Sequence, residues 1–113
     1  MHELSLAINI VDIAGAEMKK AGATRIKTIH IEVGTLSGVI MDALEFAMKS
    51  AVRGTVLENA TVNLEEIPAI ALCRQCGHRF GISHLFENCP ECDSVVLETE
   101  QGKELRIKSL TVE

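Results

Sequence analysis

The residues able to do chemistry are sulfur first. Four cysteines stand in two close pairs, C73-R-Q-C76 and C89-P-E-C92, with twelve residues between the pairs. Two intervening residues let both sulfurs of a pair reach one ion, while the following backbone turns inward to donate to the thiolates. Gly77 suits the tight turn after the first pair. Asp93 takes the same place after the second, and Asp tolerates left-handed geometry better than most residues. The expected occupant is one Zn(II) in a closed tetrahedral site of Cys73, Cys76, Cys89 and Cys92. Four thiolates leave no open position for a reactive water, so the role is structural. A redox switch or an iron–sulfur cluster would be the rival use, and no neighbouring residue favours either.

The second feature is the opening MHELSL. The amine of Met1, the amide nitrogen of His2 and its imidazole can close adjacent chelate rings on one metal. The amide or carboxylate of Glu3 could add a fourth donor. Nitrogen donors in a plane suit Ni(II) or Cu(II) better than Zn(II). Binding needs neutral imidazole and loss of amide protons, so affinity must fall in acid. On spacing alone, a histidine at position 2 is more commonly just a flexible chain end.

The other histidines carry bland readings. His30 falls on the wetter face of a strand, and His78 and His84 beside the cysteines are solvent-facing or supporting. A sharper reading has one of the latter two replace a cysteine or reach a second metal. Met41 and Met48 lie on a helical stripe, which packing explains more simply than soft-metal traffic.

These groups must be positioned by a chain of 113 residues, 47% hydrophobic, with three phenylalanines as its only aromatics. That is one domain's length with an aliphatic core. The net charge of −5 argues against nucleic acid, whose binding draws on clustered Lys and Arg. No apolar run has membrane length, and the start lacks a signal-peptide pattern. A cytoplasmic protein with reduced thiols is expected.

Leu4 to about Lys20 reads as a helix, with Leu4, Ala7, Ile8, Val11, Gly15 and Met18 on one face. Leu6, Ile10 and Ile13 form a second stripe, which leaves either a monomer or a weak homodimer open. Residues 25–33 alternate as a strand, with Ile29, Ile31 and Val33 inward and Thr28, His30 and Glu32 outward. A helix follows from about Ile40 to Arg53. Residues 60–66 alternate again with Val62 and Leu64 inward, and Pro68 ends them. The last segment, KELRIKSLTVE, switches parity from Leu105 and Ile107 to Leu110 and Val112, which predicts a bulge near Lys108-Ser109.

The fold class is therefore α+β: two helices packed on a three-stranded sheet, with an inserted zinc-ribbon-like module. The division is 1–68 plus 103–113 for the α+β part and 69–102 for the module. The module has formal charge −3 and is too small to fold without a staple.

Taken together, MHELSLA, IHIEVGTLSGV, GTVLENATVNLEEIPAIALCRQCGHRF, CPEC and GKELRIKSLTVE resemble the HypA/HybF family of nickel-insertion proteins for [NiFe]-hydrogenase, over essentially the whole chain and in the family's order. The resemblance implies that His2 is the essential nickel ligand, with Met1 and Glu3 assisting, and that Cys73, Cys76, Cys89 and Cys92 hold structural zinc. It implies a non-enzymatic metallochaperone that passes nickel to the hydrogenase large-subunit precursor, working with the GTPase HypB. Two departures stand out: Ile40 and Met41 replace the acidic residue and proline that open the second helix in many members, and Asp93 replaces a glycine. A zinc-ribbon protein-interaction module without a nickel role is the competing class. An enzyme using His2 or His30 as a base lacks any partner residue beside it.

Overall fold

A computed structural model describes residues 2–113; the Met1 expectation lies outside the described residues. The elements run α1 (His2–Lys20), β1 (Ile26–Gly34), α2 (Met41–Ala51), β2 (Thr61–Ile67), β3 (Ile70–Cys73), β4 (Arg79–Gly81), β5 (Leu97–Gln101) and β6 (Leu105–Val112). They make two three-stranded sheets, ordered β2-β1-β6 and β4-β3-β5. Both helices pack on the first sheet, giving the expected α+β layer. The four cysteines belong to the second.

β1 is the central strand, parallel to β2 and antiparallel to β6. The parallel pair is possible because α2 supplies the crossover that such strands require. Ile26, Ile29, Ile31 and Val33 are buried beneath the helices. The bulge expected in β6 is present: His30 pairs with Ser109 and Ile31 with Ile107, so Lys108 is the extra residue. A second irregularity falls at Lys27. It brings Ile26 onto the face of Ile29, and the same parity rule applied to 25–33 would have found it.

α1 begins at His2, not Leu4 as periodicity suggested. Apolar spacing cannot register a turn that precedes the first apolar residue, whereas an acidic residue in the first turn, here Glu3, favours an earlier start through the helix dipole. The buried face also differs. It comprises Ala7, Ile10, Val11, Ala14 and Met18, while Leu4 and Ile8 of the expected stripe are exposed. The contact line lies between the two stripes, since Ala7 and Ala14 let backbone approach the sheet and α2 closely. The helix ends with paired bonds from Gly22 N–H to Lys19 O and Ala23 N–H to Met18 O, the Schellman arrangement.

Glu32 is not on a wet face in the sense expected: it is 8% exposed. Its neighbour across the strand pair, Arg106, closes over it with Nε 2.6 Å from Oε1. That contact satisfies a carboxylate otherwise costly to bury.

The two sheets meet at three small residues. A Cβ on Gly34 would lie 2.1 Å from Gly102 O, and one on Gly102 would lie 2.4 Å from Ala69 Cα. That closeness lets Leu36 N–H donate to Gly102 O at 2.7 Å and Thr35 N–H to Ile67 O at 3.0 Å. Leu36 then packs on Ala69, Ala71 and Ile82, the small core of the second sheet. The segment after β1 is thereby shared between both sheets.

Candidate metal centre

Each cysteine pair sits on a turn of the same construction. Cys73 N–H donates to His78 O and Gly77 N–H to Cys73 O; Cys89 N–H donates to Ser94 O and Asp93 N–H to Cys89 O. The turning residues, Gly77 and Asp93, have φ of 78° and 62°. Asp93 is the one non-glycine residue in the left-handed region among the described residues, and Asn88 Nδ2 donates to its side chain at 3.0 Å. The departure from glycine is thus accommodated, with the left-handed turn intact.

These turns bring four sulfurs together. Cys73 Sγ lies 3.5 Å from Cys92 Sγ and Cys76 Sγ 3.6 Å from Cys89 Sγ, and all four lie within 4.8 Å of one another. A disulfide would need about 2 Å. A tetrahedron of thiolates around an ion at about 2.3 Å has edges of about 3.8 Å, close to the observed spacing. Cys73 and Cys89 are buried, whereas Cys76 and Cys92 face outward.

The electrostatics also suit a cation. The Cys76 amide, followed by that of Gln75, draws the Cys73 thiol down to about 6. The His78 amide acts likewise on Cys76, yet desolvation and the neighbouring sulfurs overcome it and push that thiol up to about 12. Cys92 is also raised, its Ser94 amide outweighed chiefly by Cys73 and burial. One thiolate is welcome here without a metal; four together need a divalent ion to offset their repulsion.

The converging ligand set contains neither His78 nor His84. His78 instead stacks on Phe80, ring centroids 5.6 Å apart and 12° from parallel. His84 lies in a loop whose amides at Ser83 and His84 donate to Glu87 Oε2. His30 points to Asn63, with Nε2 and Nδ2 3.5 Å apart, as a strand residue would.

The N-terminal residues occupy the first turn of α1. The His2 side chain is 64% exposed, and its Nδ1 lies 3.7 Å from Glu3 Oε2. Glu3 is largely covered, and its Oε2 accepts the Ile40 N–H at 3.3 Å. That bond, ahead of the weaker pull of His2, holds the Glu3 carboxyl below its ordinary 4.5. Ile40 has no side-chain cap of its own, so α1 supplies an anchor at the start of α2 that the local sequence lacks. No spacing rule links residues 37 positions apart, and the contact was invisible in the sequence.

Fold and site together define a small metal-binding α+β protein with a four-thiol knuckle. Residues 1–112 match the family described as hydrogenase/urease nickel incorporation, metallochaperone, hypA, and the chain belongs to that family. Relatives named hydrogenase maturation factor HypA include one from Geotalea daltonii, 42% identical over 99% of both chains, and one from Chlorobium limicola, 39% identical over 100% of this chain and 97% of that one. The solution structure of the Ni metallochaperone HypA from Helicobacter pylori superposes with a TM-score of 0.71 at 21% identity, covering 97% of this chain and 96% of that one. A second, titled solution structure of HypA protein, gives 0.74 at 23% identity over 100% and 97%. These structures share the fold.

Proposed function

We propose that the chain binds Ni(II) at its N-terminus and delivers it to the [NiFe]-hydrogenase large-subunit precursor in the cytoplasm, with the GTPase HypB as co-worker. The observation that supports this reading is the family match over residues 1–112; beside it, His2 is exposed in the first turn of α1. Met1 would contribute its amine and His2 its amide and imidazole, a nitrogen set suited to Ni(II). Glu3 would contribute its backbone amide, because its carboxylate is already engaged by Ile40. Such a site, built from one chain end with a single imidazole, can give up its ion to a deeper acceptor. Cys73, Cys76, Cys89 and Cys92 would hold Zn(II), which suits tetrahedral thiolate and has no open position for chemistry.

The test is calorimetric titration of nickel into the untagged protein beside its His2→Ala variant, with zinc content measured in both. The expected result is one Ni(II) per chain in the parent, none in the variant, and unchanged zinc. Equal nickel binding by the two proteins would sink the assignment.

A further inference from the structure

The first sheet has two edges, and they differ. Towards its end β2 (Thr61–Ile67) carries Glu65-Glu66, both exposed, which breaks the alternation begun by Val62 and Leu64. Charge of this kind blocks further strand pairing. β6 carries two basic residues, but neither covers its edge. Arg106 is turned inward onto Glu32, and Lys108 reaches back over β1 to Glu65 at 3.8 Å.

Beside that edge runs a groove of about 720 Å³ between α1 and β6, lined by Leu6, Ile10, Ile13, Leu105, Ile107 and Leu110. Ile13 is 54% exposed there. An open strand edge beside apolar surface is the ordinary template for adding a strand.

The pattern of β6 selects the occupant. Read from either end, LRIKSLTV alternates apolar and polar inward to its centre, because the bulge at Lys108 reverses parity midway. In an unbroken strand, residues an odd number apart face opposite ways. Here Leu105 and Val112, or Arg106 and Thr111, share a face despite odd separations. Antiparallel pairing opposes residues that share a face, so β6 can meet its own reversed copy about an axis lying between two residues, which an unbroken strand cannot do.

We propose that β6 pairs with β6 of a second copy, about an axis between Lys108 and Ser109, forming a continuous six-stranded sheet. Leu105 then opposes the partner's Val112, Ile107 the partner's Leu110 and Arg106 the partner's Thr111. No like charges are opposed. The grooves of the two copies face each other and cover Ile13. Pairing β2 in the same way about Leu64 would set Glu66 against the partner's Val62, which disfavours that edge.

Sedimentation equilibrium of the metal-loaded full chain over a concentration series tests this. Thr111 is exposed, and thermal unfolding curves check that its variants are folded. Thr111→Arg sets two like-charge pairs across the axis and weakens the dimer by about tenfold or more. Thr111→Glu sets opposite charges there and leaves the dimer intact or tighter. Ile13→Asp weakens it as well. A parent that stays monomeric throughout the series overturns the proposal and leaves the edge to a strand of another protein. A dimer that responds equally to Thr111→Arg and Thr111→Glu overturns it too, by placing the contact elsewhere.

Discussion

Glu3 and Ile40 are joined across 37 residues by one bond, the Ile40 N–H donating to Glu3 Oε2 at 3.3 Å. The first turn of α1 and the start of α2 therefore hold each other, at the place where the proposed nickel ligands lie. Glu3→Ala should raise amide exchange at Ile40 and the next residues of α2 while leaving the cysteine module unchanged. Uniform exchange rates across α2 in parent and variant would show that the bond has no mechanical role.

The same bond sets a pH dependence. The folded Glu3 carboxyl lies below its ordinary 4.5 because the charged form accepts the Ile40 amide. Its stabilising contribution is therefore complete above 4.5 and is lost as pH falls through the lower folded value. The Ile40 amide resonance should titrate with a midpoint below 4.5, and Glu3→Gln should abolish that titration. A midpoint above 4.5 would contradict the assigned contact.

Metal removal should act on one sheet more than the other. The buried residues of the cysteine-bearing module number few, chiefly Ala69, Ala71, Ile82 and the two inward cysteines, too little apolar surface to hold a fold without its ion. Stripping the metal with a strong chelator should deprotect the amides of β3, β4 and β5, while β1, β2 and β6 remain protected in hydrogen exchange. Loss of both sheets in one step would show that they are a single cooperative unit.

At the junction, Gly34→Ala places a methyl 2.1 Å from Gly102 O, a backbone atom that cannot swing away. The variant should lose about 2 kcal/mol or more in urea unfolding, the cost typical of overpacking. Gly81→Ala serves as the control, since a Cβ there meets nothing nearer than 3.8 Å. Equal losses would mean that the contact between sheets is loose.

Gly77 and Asp93 test the turns that present the sulfurs. Gly77→Ala keeps a left-handed residue at φ 78° but adds the Cβ that disfavours it, at about 1 kcal/mol. Asp93→Gly removes that penalty while giving up the bond from Asn88, so it should change stability little. The check is metal affinity by chelator competition: weaker for Gly77→Ala and near the parent for Asp93→Gly.

What the sequence revealed was whatever local spacing encodes. Two-residue gaps between cysteines, the two-residue period of Ile29, Ile31 and Val33, and the parity slip after Ile107 each follow from geometry within a few residues. The rest depends on contacts between distant segments. Glu32 reads as outward until Arg106, on the strand paired beside it, covers it. Leu4 and Ile8 read as core until α2 and the sheet fix which side of α1 lies inward. The pairing of Gly34 with Gly102, and of Glu3 with Ile40, has no periodic signature at all.

The junction carries one more consequence. Gln101 Nε2 donates to Pro68 O at 2.8 Å, and Gly102 closes on Ala69, so the chain leaves and re-enters the helical layer at nearly one point. To that layer, residues 69–102 amount to a single long loop, whose closure costs about 3 kcal/mol in chain entropy and hardly depends on its contents. The layer therefore places no demand on the size of what it carries. Lengthening the loop within residues 69–102 costs the layer little, provided the close approach of Gly102 to Ala69 is kept.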